Sequence, residues 1–105
     1  MSEIAATPSP PYYAVIFTST RTEGDNGYDE IASKMVELAG EQSGFLGIES
    51  ARERVGITVS YWQDLASIKA WKANVEHLEA QKLGRQLWYG AFKVRISKVE
   101  RDYGL

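Results

Sequence analysis

What most limits the folds open to this chain is the order in which its periodicities arrive. Tyr12 to Thr20 is dense in β-formers: Tyr12, Tyr13, Val15, Ile16, Phe17, Thr18 and Thr20. Apolar residues fall on both parities there, as in a strand covered on both faces. Thr22 to Gly27 forms a loop, in which Asp25 or Asn26 supplies an acceptor for the first free amides of a helix. Asp29 and Glu30 suit the positive end of that helix's dipole. Tyr28, Ile31, Ala32, Met35, Leu38 and Ala39 then recur at i, i+3, i+4 and i+7, with Lys34, Glu37 and Glu41 on the wet side. Gly40 or Gly44 ends the helix. Phe45 to Arg52 reads as a second strand and Glu53 to Gly56 as a turn. Ile57 to Trp62 is a third strand, with Ile57, Val59 and Tyr61 on one face and Thr58, Ser60 and Trp62 on the other. Asp64 caps a second helix whose stripe is Leu65, Ile68, Trp71, Val75 and Leu78, and Gly84 breaks it. Trp88 to Arg101 is the last strand, with Phe92, Val94 and Ile96 opposite Lys93, Arg95 and Ser97. Val99 falls on the polar parity, which predicts a bulge or bend near Lys98.

The order β-α-β-β-α-β predicts an α+β, ferredoxin-like unit: an antiparallel sheet with two helices on one face. Two helices cover only one side of four strands. The face left over is expected to carry Thr58, Ser60, Trp62, Lys93 and Arg95. That mixture is too apolar for plain solvent and too polar for a core, so a second copy packing sheet to sheet is the expected cover. Residues 1–11 hold Pro8, Pro10 and Pro11 and no apolar period, and are expected to be a disordered tail. Residues 12–105 form one domain, as 105 residues allow.

Composition closes off several kinds of chemistry. Twelve Lys and Arg against fourteen Asp and Glu leave a formal charge of −2, which speaks against a nucleic-acid partner. With no Cys there are no disulfides, thiolate metal sites or Cys nucleophile, and a single His leaves no multi-His metal site. The three Gly near the first helix do not make the G-x-G-x-x-G that opens a dinucleotide site. No metal and no bound cofactor are expected. The longest strongly apolar run, Tyr12 to Phe17, falls far short of the roughly 20 residues a membrane span needs, so no membrane association is expected. No basic region followed by an apolar stretch opens the sequence, and a cytoplasmic location is the expectation.

Particular segments resemble the antibiotic biosynthesis monooxygenase family. They are Gly44-Phe45-Leu46-Gly47, the run Ile57-Thr-Val-Ser-Tyr-Trp62, the helix with Trp71, His77 and Ala80-Gln81, then Gly84-Arg85, Trp88-Tyr89 and the charged last strand. The likeness spans about Tyr12 to Tyr103. It implies a dimeric α+β barrel, in agreement with the argument from the uncovered face. The family includes cofactor-free oxygenases of aromatic polyketides, haem-degrading enzymes and members without known activity. Against haem degradation, the His of those enzymes falls nearer Gln81 than His77, and their strand-one Asn is replaced by Thr18 and Ser19.

His77 is the one residue of a type whose unperturbed pKa lies near neutrality, and it lies about 120° around its helix from Trp71. It reads as a surface residue or as a general base at a pocket mouth. Asn74, one turn after Trp71, is either solvated or orients a substrate carbonyl. Trp71 reads as core or pocket wall, and Trp62 as dimer core or pocket lining, able to flank a flat ligand. Arg85 is a candidate for holding an enolate or carboxylate, as are Lys93 and Arg95 unless their charges are paired. The expected function is a homodimeric, cofactor-independent monooxygenase acting with O₂ on a small electron-rich aromatic or quinol-like compound. His77 would be its base and Asn74 or Arg85 its orienting donor. The alternative is a non-catalytic dimeric barrel that binds a small apolar ligand or serves a stress-response role, with haem binding or degradation behind it.

Overall fold

The computed structural model describes residues 4–25, 27–82 and 88–105. Its elements run β1 (Tyr12–Arg21), α1 (Tyr28–Glu41), β2 (Phe45–Arg52), β3 (Val55–Trp62), α2 (Leu65–Lys82) and β4 (Tyr89–Val99). The sheet order is β2-β3-β1-β4, with every neighbouring pair antiparallel. This is the ferredoxin-like arrangement that the periodicities predict.

Local chemistry sets the helix ends. Asp25 holds the start of α1: its carboxylate accepts from the amides of Gly27 (3.0 Å) and Asp29 (3.2 Å), and its carbonyl from Tyr28 (2.9 Å). Asn26 lies outside the described residues. At the other end α1 runs through Gly40, and the turn is made by Gly44 at φ +88°, which glycine adopts without steric cost. A Cβ there would also strike the side chain of Ser67. Asp64 caps α2 by accepting from the Ser67 amide at 2.7 Å. Its hydrogen bonds to Ser67 hold the carboxyl below the usual carboxylate range.

The core sits at one end of the helix-covered face. Ala39 of α1, Trp62 of β3 and Ile68 of α2 are buried together, with Tyr13, Val15, Phe45 and Trp71 packed around them. Trp62 is 0% exposed. Its ring stacks on Trp71 with centroids 5.8 Å apart, and Phe45 meets it edge-on at 5.5 Å. Its indole N–H donates to Ser60 Oγ at 2.9 Å, which satisfies two buried polar groups at once.

That position corrects one expectation. Trp62, Ser60 and Thr58 face the helices, and Ile57, Val59 and Tyr61 lie on the open face; the parity is the reverse of that predicted. The physical reason is area. A fully buried indole removes more apolar surface than the Ile57 and Val59 side chains do when half-covered, and the Ser60 hydroxyl costs little once it accepts from that indole. Lys93 and Arg95 do lie on the open face, opposite Thr18 and Ile16. The bulge expected near Lys98 is absent from that stretch. Tyr12 pairs regularly with Val99, and the register shifts at the other end of β4, between Thr20 and Arg21.

The tail also departs from expectation. The Ala5 amide donates to Glu49 at 2.9 Å, and a Cβ on Gly47 would come 2.9 Å from the Ala5 methyl. Thr7 donates to the Tyr12 hydroxyl at 3.0 Å, which in turn donates to Asp102 at 2.5 Å. Tyr61 donates to the other oxygen of Glu49 at 2.5 Å, and its ring meets Tyr12 edge-on at 5.8 Å. Residues 5–7 therefore lie against the open face of the sheet, beside a polar cluster built on two phenols and two carboxylates.

Two tests follow from this packing. Trp62→Ala should cost about 3–5 kcal/mol of stability, because it empties the centre of the core. A urea titration that shows less than half of this would contradict the assignment. Burial and the bond to Glu49 push the Tyr61 hydroxyl well above its usual value, and the bond to Asp102 raises Tyr12. A phenol raised on folding contributes stability that is present below its unfolded pKa, about 10, and is lost as pH climbs above it. Urea midpoints should thus hold up to about pH 9 and fall as pH climbs past about 10, and fall less in Tyr61→Phe.

Candidate functional site

Because paired residues share a face, the register lays four rows across the helix side of the sheet. Reading from β2 through β3 and β1 to β4, they are Phe45, Trp62, Tyr13 and Lys98; Ile48, Ser60, Val15 and Ile96; Ser50, Thr58, Phe17 and Val94; and Arg52, Gly56, Ser19 and Phe92. The first row belongs to the packed core. The last two change character: they combine aromatic and aliphatic side chains with hydroxyls and a guanidinium.

The helices close the first end and leave the second partly open. Of the helical stripe residues, Ala39 and Ile68 are buried, and both sit near Trp62. Ile31, Met35, Val75 and Leu78 are only half-buried. On β4, Phe92, Val94 and Ile96 point to the helix side yet are 39%, 46% and 52% exposed. A stripe half-covered on both layers leaves an apolar surface open on the helix side of the sheet, a candidate cleft.

Aromatic rings line its end. Phe17 stacks on Phe92 at 5.7 Å and meets Tyr89 edge-on at 5.3 Å; Tyr28 of α1 meets Tyr89 at 5.8 Å and Trp88 at 6.2 Å. Arg21 fastens this corner. Its guanidinium lies 3.5 Å from the centroid of the Tyr28 ring, and its Nε donates to the Trp88 carbonyl at 3.0 Å. Across the same end, Arg52 Nη2 donates to Ser19 Oγ at 2.5 Å. Flat apolar walls beside hydroxyls and a cation suit a small aromatic molecule with a polar substituent.

The sequence-predicted residues fall out as follows. Trp71 is half-buried, with one ring face committed to Trp62. Trp62 is sealed in the core, so its expected place as a pocket lining on the open face is corrected: no surface of it is left for a ligand. Asn74 is exposed, and its amide donates to the Ala70 carbonyl at 3.0 Å and to Gln42 Oε1 at 3.4 Å, which ties α2 to the end of α1. His77 is exposed on the flank of α2. Arg85 lies outside the described residues. The structure therefore brings Trp62 and Trp71 together in the core and leaves Asn74 and His77 exposed on α2.

Sequence reasoning passed over Phe17, Ser19, Arg52, Tyr89 and Phe92 as site residues. The signal that could have found them is Gly56, read as a turn glycine although it sits inside β3. A glycine within a strand marks close approach by another group. Among the described residues there is no group of three or more His, Asp or Glu able to hold a metal, and no helix long and apolar enough to cross a membrane.

Four antiparallel strands in the order β2-β3-β1-β4 with two helices define a ferredoxin-like α+β domain. Residues 11–83 match the antibiotic biosynthesis monooxygenase family, and the chain belongs to it. It is 50% identical over 104 residues to the uncharacterized protein YqjZ of Bacillus subtilis, covering 97% of this chain and 91% of that one. A mutant of SnoaB, a cofactor-independent oxygenase from Streptomyces nogalater, is similar in structure, with a TM-score of 0.71 at 13% identity over 87% of this chain and 95% of that one. A putative antibiotic biosynthesis monooxygenase from Chloroflexus aurantiacus gives 0.62 at 22% identity, over 90% and 96%. At such identities these structures bear on the fold alone.

One stability contrast checks the division of the face. Phe92→Ala, on the open end, should cost about 1 kcal/mol, well below the core substitution described above. Equal losses at Phe92 and Trp62 would mean that the cleft is packed shut.

Proposed function

We propose that the protein is a cofactor-independent monooxygenase of a small electron-rich aromatic or quinol-like compound, working as a homodimer. The observation that carries this reading is the half-exposed aromatic and aliphatic wall formed by Phe17, Phe92, Val94 and Ile96 on the helix side of the sheet. Family membership supports the reaction type, and SnoaB, a cofactor-independent oxygenase, shares the fold.

The chemistry asks little of the protein. A phenol or enol that has lost its proton passes an electron to O₂, the radical pair combines at a ring carbon, and water leaves the resulting hydroperoxide. A CH₂ group thereby becomes a carbonyl, one oxygen atom enters the product and the other leaves as water. What the protein supplies is a dry apolar box, a proton acceptor and donors that hold the anion. The acceptor proposed is His77, approached by a substrate that extends from the cleft to the flank of α2. Asn74 and Arg85 are its proposed neighbours, with Trp71 as a wall.

The dimer is proposed through the open face, now with Val55, Ile57, Val59 and Tyr61 on it in place of Trp62. Val55 and Ile57 are exposed apolar residues of a central strand, which a second sheet would cover. Light scattering should give about twice 11.7 kDa at micromolar concentration; the monomer mass would count against the dimer.

An oxygen electrode tests the reaction. The protein should accelerate O₂ uptake by a naphthohydroquinone well above the spontaneous rate, and His77→Ala should lower kcat by ~10²–10⁴-fold. No acceleration with any of a panel of phenols and quinols would defeat the oxygenase reading. Unchanged turnover in His77→Ala would remove the histidine from the mechanism.

A further inference from the structure

We infer that Arg52 is the anion anchor of the cleft and that the preferred ligand is a flat aromatic molecule carrying a carboxylate at one end. This rests on the cleft being the ligand site proposed above. Arg52 is the last residue of β2, and although the residue is exposed its side chain folds back across the sheet. It crosses the neighbouring strand over Gly56 and docks on Ser19 of β1, one strand further in. Ser19 is 2% exposed, so the hydrogen bond sits at the floor of the sheet and not on its rim.

Gly56 is what permits the crossing. It is not among the glycines with positive φ, so no turn requires it. A Cβ at that position would run into Cζ, Nε and Nη2 of Arg52. The missing side chain is therefore the bed on which the guanidinium lies.

The guanidinium is also held without being neutralised. It offers five N–H donors in a planar fork, and Ser19 takes one. Among the described residues no carboxylate pairs with it; the ion pair there is Lys72 with Glu76, on the outer side of α2. A cation fixed over a strand, with donors to spare and no counter-charge, suits a bidentate carboxylate.

Distance then fixes what lies beside the carboxylate. Along the same row the next side chain after Ser19 is Phe92, which stacks on Phe17. One to two strand spacings, roughly 5–10 Å, separate the guanidinium from those rings. A one- or two-ring aromatic acid spans that length, with its rings on Phe17 and Phe92 and its carboxylate on Arg52.

Calorimetry with 1-hydroxy-2-naphthoate and 1-naphthol tests this, since the two differ by one carboxylate. The wild-type protein should bind the acid at least about tenfold more tightly than the naphthol. R52Q, and G56A through displacement of the guanidinium, should weaken the acid far more than the naphthol and bring the two affinities to within about threefold. Arg52 is an exposed residue, so R52Q is expected to fold, and it decides the matter alone if G56A does not. No preference for the acid in the wild type, or a preference that survives in R52Q, would overturn the inference. Binding preference without O₂ uptake would defeat only the oxygenase reading; O₂ uptake without the preference would defeat only this one.

Discussion

The stack of Trp62 on Trp71 decides which side of the sheet the helices take, and the rest of the structure follows from that choice. Side chains alternate along a strand, so committing one indole inward commits Ser60 and Thr58 with it. Pairing then passes the choice to β1 and β2, and from β1 to β4. Tyr13, Val15, Phe17 and Ser19 turn toward the helices because their partners on β3 do. The polar residues among them are tolerated because they are used: Ser60 accepts from the indole, and Ser19 from Arg52.

The same commitment produces a face with two ends. Near Trp62 the helices can approach closely, because Ala39 and Ile68 meet a ring that fills the space. Toward Ser19 and Phe92 the other buried indole, Trp88, packs at the corner with Tyr28 and Tyr89, and the helical residues Met35, Val75 and Leu78 stay half-covered. Stability and ligand access are thus separated along the length of one sheet. The core can be well packed at one end while the wall proposed to hold a ligand stays open at the other.

The element order was legible in the sequence because each element carries its own period and its own stop signals. Asp25, Asp64 and Gly44 act locally and can be read locally. Which face each strand turns inward was not legible for β3. Both of its faces carry apolar residues, and the decisive contacts, from Phe45 and Trp71, come from elsewhere in the chain. The aromatic end of the cleft was hidden for a similar reason. Arg52 and Ser19 lie 33 residues apart, and only the register of three strands brings them together. His77 and Asn74 drew attention through residue type and helical spacing. Those features locate a residue on its helix but do not say what the helix faces.

The polar cluster on the open face gathers both ends of the described chain. Thr7 and Asp102 meet on the one hydroxyl of Tyr12, which is itself 4% exposed. The two ends of the domain thus leave the fold from the same spot, a hydrogen bond apart on either side of one phenol. Anything joined ahead of residue 4 or behind residue 105 starts its path beside Tyr12 and Tyr61. The choice of terminus for a tag or a fused domain therefore does little to steer it away from the open face. Joining the two ends by a short linker and opening the chain in another loop would instead leave that face clear of both.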